Sequence, residues 1–215
     1  MTAAKESRLM IRTEIRDACL VLTLSRPEKA NALTREMLEA LIAALEAARS
    51  EAVKLLILTG EGKVFSAGAD LDEVAQGLAS DGIWEKLSSA IAEFPGLTIA
   101  ALNGTLAGGA FGLALACDLR IAVAEAQFFY PVMKRGYLPQ AADAERLTAL
   151  IGPARCRRIL LCGERFGSDA ALAMGLIEQI APREDLVATA LALAGEAMNA
   201  SPSHVAAVKA VLPPL

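Results

Sequence analysis

The stretch GGAFGLALACD, residues Gly108 to Asp118, joins a glycine pair to an apolar, helix-forming run. It lies inside a longer segment, residues 94–117, that has no charged side chain. The strand-like run LTIAALNG (97–104) precedes the glycines, and a second one, DLRIAVAEA (118–126), follows the helix. Short apolar strands alternating with helices are typical of an α/β protein with buried strands. The segment therefore predicts a strand, a glycine loop, a helix and a further strand.

The uncharged segment is long enough to raise the question of a membrane span, since about 20 apolar residues can cross a bilayer. Pro95, Asn103 and several glycines interrupt it, and its two halves have different periodicities. We therefore expect no membrane partner.

The same alternation extends in both directions along the chain. Apolar runs at 18–25 and 53–60 predict strands, and residues 84–94 have the pattern of a helix. Thr34 is a predicted N-cap for a helix whose apolar stripe is Met37, Leu38, Leu41, Ile42 and Leu45. We predict one domain over 1–215, with an α/β core to about residue 142.

Residues 143–215 are predicted to be mostly helical, with one short strand at LIEQI (176–180). In this section Ser168 is a predicted helix cap, and Gly175 is predicted to end the same helix. The sequence ends at KAVLPPL (209–215), and we expect this C-terminal section to be a shortened one.

Charge and cysteine content exclude several classes of partner. The net charge is −4, whereas nucleic-acid binding needs clustered Lys and Arg. The one basic cluster, Arg155 with Arg157 and Arg158, is interpreted as a solvated helix face. Four cysteines without a CxxC pair, and a single histidine, predict no metal site.

The cysteines and the N-terminal sequence predict the cellular compartment of the protein. Cys117 and Cys162 have apolar neighbours and are interpreted as reduced core residues, which places the protein in the cytoplasm. The charged N-terminal sequence MTAAKESRLMIR lacks the apolar block of a signal peptide.

Two loops combine glycine with small side chains: SAGAD (66–70) and AGGAFG (107–112). Small side chains leave backbone amides uncovered, and a helix that begins at once directs its dipole at whatever lies before it. Two N–H groups that converge on one oxygen form an oxyanion hole, in which each donor is worth roughly 3–4 kcal/mol. The alternative is that these glycines only permit tight turns and close packing.

Four motifs follow one another along the chain. They are SRPEKANALTREML (25–38), LTGEGKVFSAGADLDE (58–73), NGTLAGGAFGLALACDLRIA (103–122) and GERFGSDAALAMGLIEQI (163–180). In this order they resemble the crotonase family, the enoyl-CoA hydratase and isomerase proteins. The resemblance extends from about Leu20 to Lys209.

The resemblance implies a ββα superhelix with C-terminal helices used in trimerisation, often as a dimer of trimers. It implies acyl-CoA thioesters as ligands, with coenzyme A as part of the substrate and no other cofactor. The thioester oxygen would sit between the amides of Ala69 and Gly109. Five residues are implied beside the CoA nucleotide: Glu28, Lys29, Ala30, Ala67 and Asp70.

The sequence departs from the family where hydratases carry two glutamates. The matching positions hold Gly112 and Val132, and Gln140 stands where some related isomerases and dehalogenases have an aspartate. None of the three can accept a proton, and acid–base help typically supplies 10²–10⁴-fold in rate. We expect ordinary hydration to be crippled, and Gly112→Glu to raise it.

The remaining candidates for a proton carrier near the acyl pocket are Tyr130, Tyr137, Asp143 and Glu145. Three of them have a structural alternative: Tyr130 would pack beside Phe128 and Phe129, Asp143 would cap the following helix, and Glu145 would lie on the surface. Ser66 beside the hole suggests a serine peptidase, but His204, the sole histidine, lies near the C-terminus.

Three hypotheses therefore stand. The first is an acyl-CoA enzyme of the hydratase/isomerase type that stabilises a thioester enolate through its backbone. The second is a catalytically silent binding or assembly subunit. The third is a different reaction of the same fold, thioester hydrolysis or decarboxylation, served by Tyr130 or Asp143.

Overall fold

The strands divide between two sheets in a computed structural model that describes residues 10–49 and 51–213. The larger sheet has six strands, in spatial order Ile11–Arg16 (β1), Cys19–Leu24 (β2), Leu55–Gly60 (β3), Leu97–Leu102 (β5), Leu119–Ala122 (β7) and Gln179–Ile180 (β10). The smaller sheet has four, in the order Val64–Ser66 (β4), Thr105–Ala107 (β6), Gln127–Phe129 (β8) and Phe166–Gly167 (β9).

Eleven α-helices complete the described residues. Their bounds are Arg35–Ala48 (α1), Leu71–Val74 (α2), Ile83–Ala92 (α3), Ala110–Leu115 (α4), Val132–Arg135 (α5), Ala141–Ile151 (α6), Pro153–Leu160 (α7), Ser168–Met174 (α8), Leu186–Leu193 (α9), Gly195–Asn199 (α10) and Pro202–Val211 (α11).

The chain winds between the two sheets. Successive strand pairs, β3 with β4, β5 with β6 and β7 with β8, place one strand in each sheet, and helices follow each pair. Parallel neighbours bring the same ends of these strands together, so the connections after β4 and β6 meet at one edge of the smaller sheet. This is the ββα winding expected from the sequence.

The central strands of the larger sheet are apolar because both of their faces are covered. β3 runs parallel to β2 and to β5, and five of its six residues are buried. The uncharged segment of the sequence forms β5, β6 and α4, which are almost wholly buried. Burial thus explains its lack of charge, and within the described residues no helix has both the length and the apolar character needed to cross a bilayer.

The predicted first helix is confirmed. The Thr34 hydroxyl accepts a hydrogen bond from the Met37 N–H at 3.2 Å, and the predicted apolar stripe of α1 is buried. Gly175, at φ +80°, ends α8 as predicted. The basic cluster on α7 is exposed, as expected of a solvated helix face.

Two predicted caps are wrong. Ser168 is the first residue of α8, and its hydroxyl donates to the Val123 carbonyl at 2.7 Å. Asp143 lies within the first turn of α6, after Gln140, and its carboxylate accepts a bond from Tyr130 instead. In both cases a partner from a distant part of the chain outcompetes the local helix N-terminus.

Three details of the sequence interpretation are also corrected. β1 was not expected, because five of its six residues are exposed; it pairs antiparallel with β2. β4 was not expected either, and it ends at Ser66, the first residue of the segment predicted to be a loop. Cys162 is exposed beyond the end of α7, so it is not a core residue, whereas Cys117 is buried as predicted.

Candidate active site

The two glycine-containing loops approach each other backbone to backbone. Gly68 has φ +92°, and a Cβ atom built on it would lie 2.9 Å from the Ala107 carbonyl oxygen and 3.4 Å from the Gly109 nitrogen. Neither backbone atom can swing away as a flexible side chain can. Glycine at position 68 is therefore what allows the loops at 66–70 and 107–112 to meet.

Two amides at this meeting point are left without a partner. The Gly68 N–H donates a hydrogen bond to the Ser66 hydroxyl at 3.1 Å, and the Gly108 N–H donates one to the Phe129 carbonyl at 3.1 Å. Among the described residues, no acceptor is bonded to the N–H of Ala69 or of Gly109. In each loop the amide just before the free one, that of Gly68 or of Gly108, is already bonded.

A cavity of about 170 Å³ opens at this point. Its lining includes Ala67, Ala69, Leu71, Val74, Ala79, Trp84, Gly108, Gly109, Phe129, Tyr130, Pro131, Val132, Arg135, Tyr137, Leu138 and Gln140. The Trp84 ring forms one wall, 3.4 Å from where a Cβ on Gly109 would be, and its Nε1 donates to the Leu78 carbonyl at 2.8 Å. The lining is mostly apolar and lacks a carboxylate.

A larger groove, about 1060 Å³, lies along α11 and the residues around Phe94 and Asp118. No residue of the two glycine loops lines it. The smaller cavity is the candidate active site, because it combines free backbone donors with a mostly apolar lining.

A buried carboxyl lies behind the cavity wall. The Tyr130 hydroxyl donates to Asp143 Oδ2 at 2.8 Å, and the Tyr130 ring stacks on Phe111 with centroids 5.3 Å apart. Asp143 is 1% exposed, and burial raises the pKa of its carboxyl to about 7. A Cβ on Gly112 would lie 2.7 Å from Asp143 Oδ1, so α4 and α6 are in contact here.

A family model described as enoyl-CoA hydratase/isomerase matches residues 14–213. The chain belongs to the enoyl-CoA hydratase/isomerase family. A probable enoyl-CoA hydratase of Rhodobacter capsulatus is 39% identical over 180 residues, which cover 81% of this chain and 70% of the relative. The 2,3-dehydroadipyl-CoA hydratase of Escherichia coli is 33% identical over 90% of this chain and 77% of its own length.

Solved structures agree with the family assignment. Pseudomonas aeruginosa DspI superposes with a TM-score of 0.87 at 32% identity, covering 98% of this chain and 88% of the other. An enoyl-CoA hydratase from Bacillus anthracis gives 0.86 at 30% identity, over 94% and 81% of the two chains. The predicted crotonase-like α/β fold is confirmed.

The residues predicted beside the CoA nucleotide lie in or close to the glycine loop at 66–70. Glu28 and Lys29 are exposed in a short 3₁₀ helix, and Ala30 follows in the left-handed region at φ +52°. The Ala30 carbonyl accepts a bond from the Ala67 N–H at 3.0 Å, and Ala67 lines the cavity. Their contact with a nucleotide stays a prediction.

Asp70, the fifth of these residues, already has partners within the chain. Arg26 donates to its Oδ2 at 2.6 Å, and the Asp72 N–H donates to its Oδ1 at 3.0 Å, which caps α2. Asp70 is 6% exposed, so little of its carboxylate is left for a ligand. Its structural role is visible, and its role in binding stays a prediction.

The Arg26–Asp70 pair predicts an acid-dependent loss of stability. The hydrogen bond from Arg26 holds the pKa of Asp70 below its ordinary value of 3.8. The stabilisation is complete above that ordinary value and is lost as the pH falls through the lower folded value. In urea unfolding, we expect Asp70→Asn to be less stable than the parent at about pH 6 and to converge with it at the acid end of the titration. Glu184→Gln, at an exposed carboxylate, serves as control; equal curves for both variants would contradict the prediction.

The serine-peptidase alternative finds no support in this geometry. Ser66 is buried, and its hydroxyl donates to the Asn31 carbonyl at 2.8 Å. His204 lies in α11 beside the larger groove. No hydrogen bond joins the two residues in the part of the chain that the structure describes.

Some features of the site were not predicted. Trp84 was expected only to begin a helix, and the contact between Gly112 and Asp143 joins residues far apart in the sequence. Tyr130 packs on Phe111 rather than beside its sequence neighbours Phe128 and Phe129. Glu145 is exposed on α6, as expected of a surface residue.

Proposed function

We propose that this protein is an acyl-CoA enzyme of the hydratase/isomerase type, in which the amides of Ala69 and Gly109 bind the thioester oxygen. The observation that carries the proposal is the pair of unused N–H groups on two loops that meet at one cavity. The names of two relatives, a probable enoyl-CoA hydratase and a 2,3-dehydroadipyl-CoA hydratase, support the substrate class.

The chemistry follows from where the negative charge develops. When the α-carbon of a thioester loses a proton, or a nucleophile adds to the β-carbon, the resulting enolate carries its charge on the former carbonyl oxygen. Two fixed N–H donors stabilise that charge more than they stabilise the neutral carbonyl, which is the condition for lowering the barrier. Apolar walls such as Trp84 strengthen these bonds by excluding water.

A silent binding subunit is the second candidate. It is favoured by the residues at three positions, Gly112, Val132 and Gln140, none of which has a titratable side chain. Val132 and Gln140 both line the cavity. The cavity wall is therefore uncharged at two of the positions where family members were expected to carry an acid. Thioester hydrolysis or decarboxylation has no separate observation in its favour.

Calorimetry with a short-chain acyl-CoA, followed by turnover of crotonyl-CoA and a 3-enoyl-CoA, tests the proposal. We expect saturable binding together with turnover of at least one enoyl ester. Binding without turnover of either ester would favour the silent subunit. Lack of binding at millimolar acyl-CoA would overturn both candidates.

Assembly and compartment complete the proposal. By its family we expect a homotrimer or a dimer of trimers in the cytoplasm, with the C-terminal helices in the subunit contacts. Sedimentation of the full chain measures the assembly state directly.

A further inference from the structure

Gly112 and Asp143 are fitted to each other across the contact of α4 and α6. A Cβ atom on Gly112 would lie 2.7 Å from Asp143 Oδ1, 3.3 Å from Oδ2 and 3.4 Å from Cγ. Real Cβ atoms do not approach an oxygen to 2.7 Å, so any side chain at 112 would displace the carboxyl. The glycine therefore makes room for an acid that comes from another helix.

The carboxyl in that space is incompletely satisfied. Tyr130 donates to Oδ2 at 2.8 Å, whereas Oδ1 is fully buried and has no hydrogen-bond partner among the described residues. An unpaired polar atom in a buried site costs stability, and most buried polar groups in proteins are paired. Such a cost, beside a cavity, is typical of a group retained for function.

The connection to the cavity runs through Tyr130. Tyr130 lines the cavity together with Gly109, Val132 and Gln140, while Asp143 lies behind it at 1% exposure. Stacking on Phe111 holds the ring, and the hydrogen bond to Asp143 fixes the hydroxyl. The pair thus joins a buried carboxyl to the wall of the site that holds the two free amides.

We propose that Tyr130 and Asp143 form the proton-transfer pair of this enzyme, in place of the carboxylate that position 112 lacks. In this arrangement the Tyr130 hydroxyl meets the substrate, and Asp143 stores the proton behind it. The inference rests on the proposed acyl-CoA function and deepens it.

The charges around the pair favour storage of the proton on Asp143 near neutral pH. Burial raises its pKa to about 7, and Glu85 of α3 acts in the same direction, against the Tyr130 hydrogen bond and the charge of Arg146. Burial, with the charge of Asp143, raises the pKa of Tyr130 above its ordinary range. The tyrosine therefore passes a proton on without holding the negative charge itself.

The step balances without any co-reactant. The α-proton of the thioester moves to the Tyr130 oxygen while the hydroxyl proton moves to the Asp143 carboxylate. The electron pair of the broken C–H bond delocalises onto the thioester oxygen at Ala69 and Gly109. In the reverse direction Asp143 reprotonates Tyr130, and the tyrosine protonates the α-carbon again or, in a 3-enoyl ester, the γ-carbon, which shifts the double bond.

Deuterium exchange at the α-carbon of a saturated acyl-CoA measures this proton transfer irrespective of later chemistry. In D₂O we expect exchange with the parent protein, and loss of about 100-fold in both Tyr130→Phe and Asp143→Asn, within the range of acid–base catalysis. Glu145→Gln, at an exposed carboxylate two residues further along α6, should exchange like the parent. Acyl-CoA binding by calorimetry should be retained in all three variants.

Two further readouts separate proton transfer from a structural role. The exchange rate of the parent should rise with pH through about 7, and the residual rate of Asp143→Asn should lack that rise. Asp143→Asn should also be no less stable than the parent at pH values above about 7, because a raised folded pKa means that ionisation there opposes folding.

Substitutions can also supply the carboxyl group from α4 instead of α6. Gly112→Glu alone would force two acids into one space, so we now expect it to fail as a route to higher activity. Combined with Asp143→Gly, it places one acid there from α4. This double variant should exchange faster than Asp143→Gly alone.

The outcomes distinguish failure of the proton-transfer pair from failure of the proposed acyl-CoA function. If the parent binds acyl-CoA but shows no exchange, or if either single variant exchanges like the parent, the proton-transfer pair is overturned while the binding site stands. If the parent fails to bind acyl-CoA, the proposed function is overturned and the inference with it.

Discussion

Gly68→Ala is expected to lower kcat on the enoyl-CoA substrate by about 10²–10³-fold, the cost of losing one oxyanion-hole donor. The added methyl group would lie 2.9 Å from the Ala107 carbonyl oxygen, on a residue at φ +92°. The methyl carbon is bonded directly to the Cα of residue 68 and the oxygen belongs to the backbone of Ala107, so neither can rotate away and the loops at 66–70 and 107–112 must separate. Separation moves the Ala69 amide relative to that of Gly109, and the two can no longer bind one oxygen.

Gly77→Ala is the matched control for this prediction. Gly77 has nearly the same backbone angle, φ +97°, but nothing lies within 4 Å of a Cβ built there. It therefore reproduces the conformational strain without the collision. Steady-state kinetics and thermal unfolding are measured for both variants. A Gly68→Ala protein that folds and turns over like Gly77→Ala would show that close contact of the loops is not needed.

Arg120→Met is expected to lower the free energy of unfolding by about 2–4 kcal/mol, because it leaves two buried carbonyl groups without donors and removes one partner of an ion pair whose carboxylate is 33% exposed. Arg120 is 1% exposed on β7. Its Nε donates to the Leu176 carbonyl at 2.8 Å, one Nη donates to the Cys117 carbonyl at 2.7 Å, and the other donates to Glu178 at 2.6 Å. Methionine fills much of the volume but leaves these acceptors without donors.

Arg157→Met measures the ordinary effect of the same change on the surface. Arg157 is exposed on α7 and donates to a carbonyl of its own helix, that of Pro153, at 3.2 Å. Surface changes of this kind usually stay within about 0.5 kcal/mol. Urea unfolding at one fixed protein concentration gives both values, since assembly would shift apparent stability. Equal midpoints for the two variants would mean that the buried guanidinium is not needed to hold residues 176–178 to β7.

Under the proposed proton-transfer role, stability and activity make opposite demands on the residue at position 143. Its unpaired Oδ1 and raised pKa both favour the neutral side chain in the folded protein at neutral pH. A fold selected for stability alone would replace the acid. Retention of such a group beside a cavity is the pattern expected of a functional site whose cost is met by the rest of the core.

The sequence by itself determined the periodic parts of this protein. The stripe of α1, the buried strands β2, β3 and β5 and the glycine loop before α4 follow from local patterns, because burial of a helix face or a strand leaves a regular trace in hydrophobicity. The four ordered motifs were enough to identify the family. They also located both loops that carry the free amides.

Tertiary structure alone decided which groups meet. The 3-residue strand β4 has too few residues to leave a periodic signal, and β1 depends on pairing with its neighbour. Asp143 has the sequence position of a helix cap, but Tyr130 and the space left by Gly112 give its carboxyl another place. Local patterns report which face of an element is buried; they do not report which residue on a distant element fills the space opposite, since that depends on how the layers pack.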